Sequence, residues 1–161
     1  MSENKEIKFT INGLYVTKFN IDLKEEYIKI DTENKGKFNS YTFEIKCNNK
    51  GYVPQNIINI ETILKIFLDS DKKIELGSIQ VENVYTIDDL KNYYIEKENR
   101  LNLPSNFEAT LISISIAHTR AIMHTKCAGT FLQNALLPLL NPTDFLKIAE
   151  EKRERIDSLA S

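Results

Sequence analysis

The sequence predicts an α+β fold: a four-stranded antiparallel sheet, arranged as a meander, followed by two helices packed on one face. Two observations predict it. Apolar residues recur with a period of two through the first half of the chain, and helix start and stop residues punctuate the second half. The 161 residues, 42% of them apolar, are the size of one domain with its own core. That domain is expected to span 1–161, with the sheet over 5–87 and the helical part over 105–159.

In the first strand Ile7, Phe9, Ile11, Tyr15, Phe19, Ile21 and Leu23 occupy odd positions, and Lys8, Thr10, Asn12, Lys18, Asn20 and Asp22 even ones. That alternation belongs to a sheet with one wet face, and Gly13 is expected to bend it. In the second strand Tyr41, Phe43, Ile45 and Cys47 alternate with Thr42, Glu44 and Lys46, and a turn is expected at Asn48-Asn49-Lys50-Gly51. A third strand covers 57–68, and the polar stretch 69–73 turns the chain into a fourth beginning at Ile74. Ile74 and Leu76 have one parity, whereas Ile79, Val81, Tyr85 and Ile87 have the other; a bulge near Gly77 brings both sets to one side. Residues 88–98 read as a short charged helix or as a polar crossing.

A helix should start at Ser105, where Ser105 and Glu108 have capping-box spacing, and end at Gly129. Within it Leu111, Ile112, Ile114 and Ile116 alternate with Ser113 and Ser115 in the manner of a strand; the cap and the length of the segment decide for helix. Asn141-Pro142 opens the second helix, with Phe145, Ile148, Ala149, Lys152, Ile156 and Leu159 on one face. Between the two lies GTFLQNALLPLLNP, residues 129–142, whose prolines bar both a regular helix and a central strand.

Charge and motifs exclude several functions. Lys and Arg number 21 against 23 Asp and Glu, for a net charge of −2, and no basic stripe is interleaved with aromatics, so no nucleic-acid partner is expected. MSENKEIK has no apolar core, and no stretch approaches the ~18 apolar residues of a membrane span, so a cytoplasmic protein without membrane insertion is expected. Cys47 and Cys127 should be reduced, packed as small hydrophobes. His118, His124 and Cys127 are the best metal candidates, but on a helix His118 is rotated by about 240° from His124 and no fourth ligand is near. Cys127 beside His124 lacks an orienting partner for nucleophilic chemistry, and Asp88-Asp89 suit a helix start better than acid–base work. The sequence predicts no enzyme, no metal and no cofactor.

The run AHTRAIMHTKCAGTFLQNALLPLLNPTDF, residues 117–145, resembles the end of the first helix, the loop and the start of the last helix in the SecB family of export chaperones. Arg120, the Gly129-Thr130-Phe131 turn, Gln133, Pro138 and the entry from Asn141 to Phe145 bear the likeness. IETILKIFLDSDKKIELGSIQVENVYTIDDL, residues 60–90, is similar in spacing to the family's third and fourth strands. A weaker likeness covers Tyr15 to Asp22, and residues 31–56 fit poorly.

The resemblance implies an ATP-independent holdase that binds unfolded or pre-export polypeptides in apolar grooves. It implies a homo-oligomer, a dimer of dimers, with the first helix between subunits. Peptide-binding residues would be Phe131, Leu132, Leu136, Leu137, Leu139 and Leu140 on a loop stiffened by Pro138, facing Leu76, Ile79 and Val81 of the fourth strand. Acidic positions through which the family meets the SecA motor fall on Lys18, Asp22 and Ser78, so a SecA contact rests on Asp22 alone. Two other assignments share the fold: a chaperone dedicated to one client such as an antitoxin, and an oligomeric scaffold whose leucine-rich loop is sealed at a subunit contact.

Overall fold

The alternating first half forms one antiparallel sheet of four strands: β1 (Phe9–Ile21), β2 (Thr42–Tyr52), β3 (Ile57–Phe67) and β4 (Glu75–Ile87). The computed structural model describes residues 7–22, 24, 41–68, 74–98, 100–141, 143, 144 and 147. The α+β layout expected from the sequence is the one observed, with two corrections. First, the strand order is β1-β4-β3-β2. Strands β2 to β4 are a meander, but β1 lies beside β4, a pairing between distant segments that no local pattern encodes. Second, among the described residues a single long helix follows the sheet, α1 (Ser105–Cys127). Thr143, Asp144 and Lys147 are helical, and the rest of the expected second helix lies outside the described residues, as does the hairpin at 69–73.

Side-chain alternation decides which face of the sheet meets α1. Ile58, Ile60, Leu64 and Ile66 of β3 and Ile79, Val81, Tyr85 and Ile87 of β4 are buried, and α1 packs against these two strands. The bulge expected near Gly77 is present: Ile66 pairs with Gly77 and Phe67 with Glu75, leaving Leu76 as the extra residue. Leu76 is thereby buried with the odd-numbered set despite its parity.

Strand β1 departs from simple alternation. Its pairing with β4 shifts between Ile11 and Gly13 and again between Val16 and Lys18. The first shift puts Leu14 and Val16 opposite Asn83 and Val81, on the helix side, and the second returns Phe19 to that side opposite Ile79. Tyr15, expected there, pairs with Glu82 and folds its ring over Gly13 on the other face. Ile11, Leu14, Val16 and Phe19 remain exposed because α1 covers β3 and β4 instead.

The turn expected at Asn48 to Gly51 is continuous strand, paired with Glu61 to Ile58. The asparagines find partners that hold the extended form: Asn48 donates to Glu61 at 3.0 Å and Asn49 to Glu108 of α1 at 2.7 Å. The chain turns later, in a 3-10 helix at Val53–Gln55 closed by Asn56 at φ 56°. Residues 88–98 are neither a charged helix nor a plain crossing; they form 3-10 turns at Leu90–Tyr93 and Glu96–Glu98 around β5 (Tyr94–Ile95), which pairs with β6 (Arg100–Leu101).

Helix α1 begins at Ser105 as expected, but without the capping box. Pro104 O accepts from the amides of Phe107 and Glu108, and the Glu108 carboxylate is taken by Asn49. Gly129, at φ 78°, follows the helix end. No helix among the described residues is long and apolar enough to cross a membrane.

Candidate functional site

Between α1 and the leucine-rich loop runs an open trough of about 480 Å³, within the size range of small-ligand sites. Its helix wall is built from Ser113, Ile116, Ala117, Arg120, Ala121 and His124, recurring every three or four residues so that they share one face. Its other wall is the chain from Ala135 to Leu140, and Leu64 of β3 with Met123 lies at its base.

The loop takes this course for local reasons. Thr130 caps a 3-10 turn at Phe131–Asn134 by accepting from the amide of Leu132, and its hydroxyl donates to Cys127 O at 2.7 Å. Leu132, 1% exposed, is driven into the core against Gly77, where the absence of a side chain leaves room for it. From Ala135 to Asn141 no helix or strand forms, and Pro138 removes a backbone donor. Leu137 turns inward and is buried, while Leu136, Leu139 and Leu140 are 52%, 89% and 36% exposed.

The residues anticipated for peptide binding therefore separate. Leu136, Leu137, Leu139 and Leu140 line the trough. Leu132 is core and Phe131, half-buried, packs against that core. Leu76, Ile79 and Val81 are enclosed beneath α1 and form no wall, because the bulge that aligns them also directs them into the sheet–helix interior. The opposing wall is the helix instead. A signal for it existed in the sequence: Ser113, Ala117 and Ala121, small residues at i, i+4 spacing, leave a groove along α1.

The other singled-out side chains are dispersed. His118 donates through Nδ1 to Asn83 Oδ1 at 2.7 Å, between helix and sheet, whereas His124 is exposed at the trough and Cys127 is buried. Burial raises the Cys127 thiol above its ordinary value. Asp22, at the end of β1, pairs with Lys24 at 3.3 Å, and its amide donates to Leu76 O. Lys18 is exposed, and Ser78 is buried at the bulge. Among the described residues no group of three or more His, Cys, Asp or Glu is placed to hold a metal ion.

No family model and no curated protein matches this chain. Among solved structures it is similar to a SecB-like chaperone of Mycobacterium tuberculosis in complex with a peptide from an antitoxin, at 8% identity and a TM-score of 0.45, over 81% of this chain and 83% of that one. It is also similar to a protein of unknown function from Streptococcus agalactiae, at 15% identity and a TM-score of 0.29, over 74% of this chain and 90% of that one. Neither likeness is close enough to place the chain in a family.

Proposed function

We propose that this protein is an ATP-independent holdase of the cytoplasm, which binds unfolded or pre-export polypeptide in the trough between α1 and residues 135–140, without cofactor or catalytic step. One observation supports the reading above all. Leu136, Leu139 and Leu140 stand exposed beside an open apolar trough, where folding alone favours burying them. A client without fixed sequence needs adaptable apolar surface, and a loop free of regular structure supplies it. Covering roughly 400 Å² of apolar client surface gives on the order of 10 kcal/mol before ordering costs, which leaves a modest net affinity.

The test is suppression of aggregation of a refolding client without ATP. Leu136→Asp with Leu140→Asp should weaken holding while the melting temperature and native mass stay unchanged. Undiminished holding by the double variant sinks the assignment of the trough.

A second observation favours self-association, the first step toward the dimer of dimers we propose. Among the described residues the outer edge of the 13-residue β1 is unpaired, and Ile11, Leu14 and Val16 lie exposed beside it, with Phe19 exposed under the Lys126 ammonium. The opposite edge strand, β2, carries Lys46, Asn48, Asn49 and Lys50, the kind of polar residues that protect an edge. Native mass measurement checks this: Val16→Lys with Phe19→Lys should shift the assembly toward smaller species. If the assembly seals the trough, the scaffold reading replaces the holdase. Docking on the SecA motor lies outside this proposal, since Asp22 is engaged with Lys24 and the position at Lys18 is basic.

A further inference from the structure

The trough is apolar at its base and along its loop, but its helix wall carries the Arg120 guanidinium. Arg120 and His124 lie one helical turn apart, about 6 Å along the axis, and among the described residues no carboxylate lines the trough beside them. We propose that the trough selects apolar segments flanked by acidic side chains, with Arg120 receiving the carboxylate; this rests on the holdase reading above.

The other cations of the described structure argue by contrast: Lys24, Lys46, Lys65 and Arg100 pair with a carboxylate, Lys50 and Lys126 lie over the Tyr52 and Phe19 rings, and Lys8, Lys18, Lys91, Lys97 and Lys147 are exposed to water. Arg120, half-buried, has no such ion pair among the described residues, although the chain holds more acidic than basic residues. A half-buried guanidinium has a rigid fork of donors that matches a carboxylate and is poorly served by backbone carbonyls alone. The facing wall from Ala135 to Leu140 bears no charge, so a lysine or arginine beside a client's apolar run meets only like charge and hydrocarbon there. The trough would thus discriminate by repulsion as well as attraction.

Three fluorescent peptides with one leucine-rich centre, flanked by two glutamates, two glutamines or two lysines, test this by anisotropy with the full-length protein at fixed pH. The glutamate peptide should bind about fivefold tighter than the glutamine peptide, the upper end for a partly exposed pair, and the lysine peptide weakest. The glutamate preference should shrink as salt rises. Arg120→Gln should abolish most of the preference of glutamate over glutamine peptide, and Arg120→Glu should reverse it. Equal affinity for all three peptides overturns the acidic preference and assigns the arginine the role of covering apolar surface with its stem; a preference that persists in Arg120→Gln overturns the arginine as its source. Failure of every peptide to bind overturns the holdase reading and this inference with it.

Discussion

The Tyr85 hydroxyl of β4 lies 2.7 Å from Ser115 Oγ in the middle of α1, both residues fully buried. Ser115 donates to Leu111 O at 2.9 Å, which leaves its oxygen free to accept from Tyr85, and the same hydroxyl lies 3.3 Å from Leu111 O. A strand-like serine within the isoleucine run thus becomes the polar tie that sets the helix on the sheet. Tyr85→Phe should cost about 1 kcal/mol, since Ser115 keeps one partner, and Ser115→Ala a similar amount. A double-mutant cycle by urea unfolding should give a coupling of at least ~0.5 kcal/mol; strict additivity would show that the contact contributes nothing.

A side chain at Gly77 is expected to be costly. A Cβ there would stand 3.0 Å from Leu132 Cδ1 and 3.2 Å from Asn20 O, so the buried leucine and the β1 backbone must each give by a few tenths of an ångström. Gly77→Ala should cost about 1–3 kcal/mol by overpacking and loosen the loop that Leu132 anchors. Thermal melts measure the first effect, and amide exchange at residues 131–140 the second.

Loop leucines should divide by burial. Leu132→Ala removes core packing and should cost about 2–4 kcal/mol. Leu139→Asp, at an 89% exposed position, should leave stability within about 0.5 kcal/mol. Chemical unfolding of both variants decides it, and equal losses would mean that the loop's outer leucines are covered in solution.

Both thiols should be quiet in the native protein. Burial pushes Cys47 up to about 11, against a smaller downward pull from its contact with Thr62, and burial raises Cys127 as well. At pH 8 the Cys47 thiolate is on the order of one part in a thousand, so iodoacetamide should modify neither cysteine until guanidinium unfolds the chain. Mass spectrometry reads the outcome; a rapid single adduct on Cys47 would contradict its placement.

Lys65 of β3 and Glu75 of β4 are joined at 2.7 Å across the polar face of the sheet. Burial works to raise the Glu75 carboxyl, but hydrogen bonds from Lys65 and Ser78 and the charges of Lys65 and Lys18 together hold it below its ordinary value. A lowered carboxyl contributes stability above its unfolded-state value and loses it as pH falls through the folded one. Lys65 is raised, chiefly by its bond to Glu75, so its share holds below the ordinary lysine value and is lost as pH rises through the folded-state value. Glu75→Gln should cost about 0.5 kcal/mol near neutrality, and the deficit should vanish in acid. Urea titrations across pH test both limbs.

How far the sequence could be read follows from the range of the interactions involved. Alternation gave β3, β4 and their bulge because each side chain's environment repeats every second residue. Cap spacing and length gave the bounds of α1 against the strand-like preference of Leu111 to Ile116. The neighbour of β1 and the course of β2 through Asn48 to Gly51 depend instead on contacts with Ile79 to Ile87 and with Glu61 and Glu108, which no local pattern contains. The leucine-rich loop was legible as an anomaly, but its opposing wall was not. Deciding between Val81 and Ala117 required knowing that the helix lies over the strand.

The order in which the strands meet has a cost at the ribosome. β1 emerges first, yet Phe9 pairs with Ile87 and Ile21 with Gly77, so its partner is synthesised only after β2 and β3. Through that interval a nascent segment bearing Ile11, Leu14, Val16 and Phe19 has no native neighbour. The holdase proposed above would thus itself pass through the hazard it relieves in its clients before it is finished.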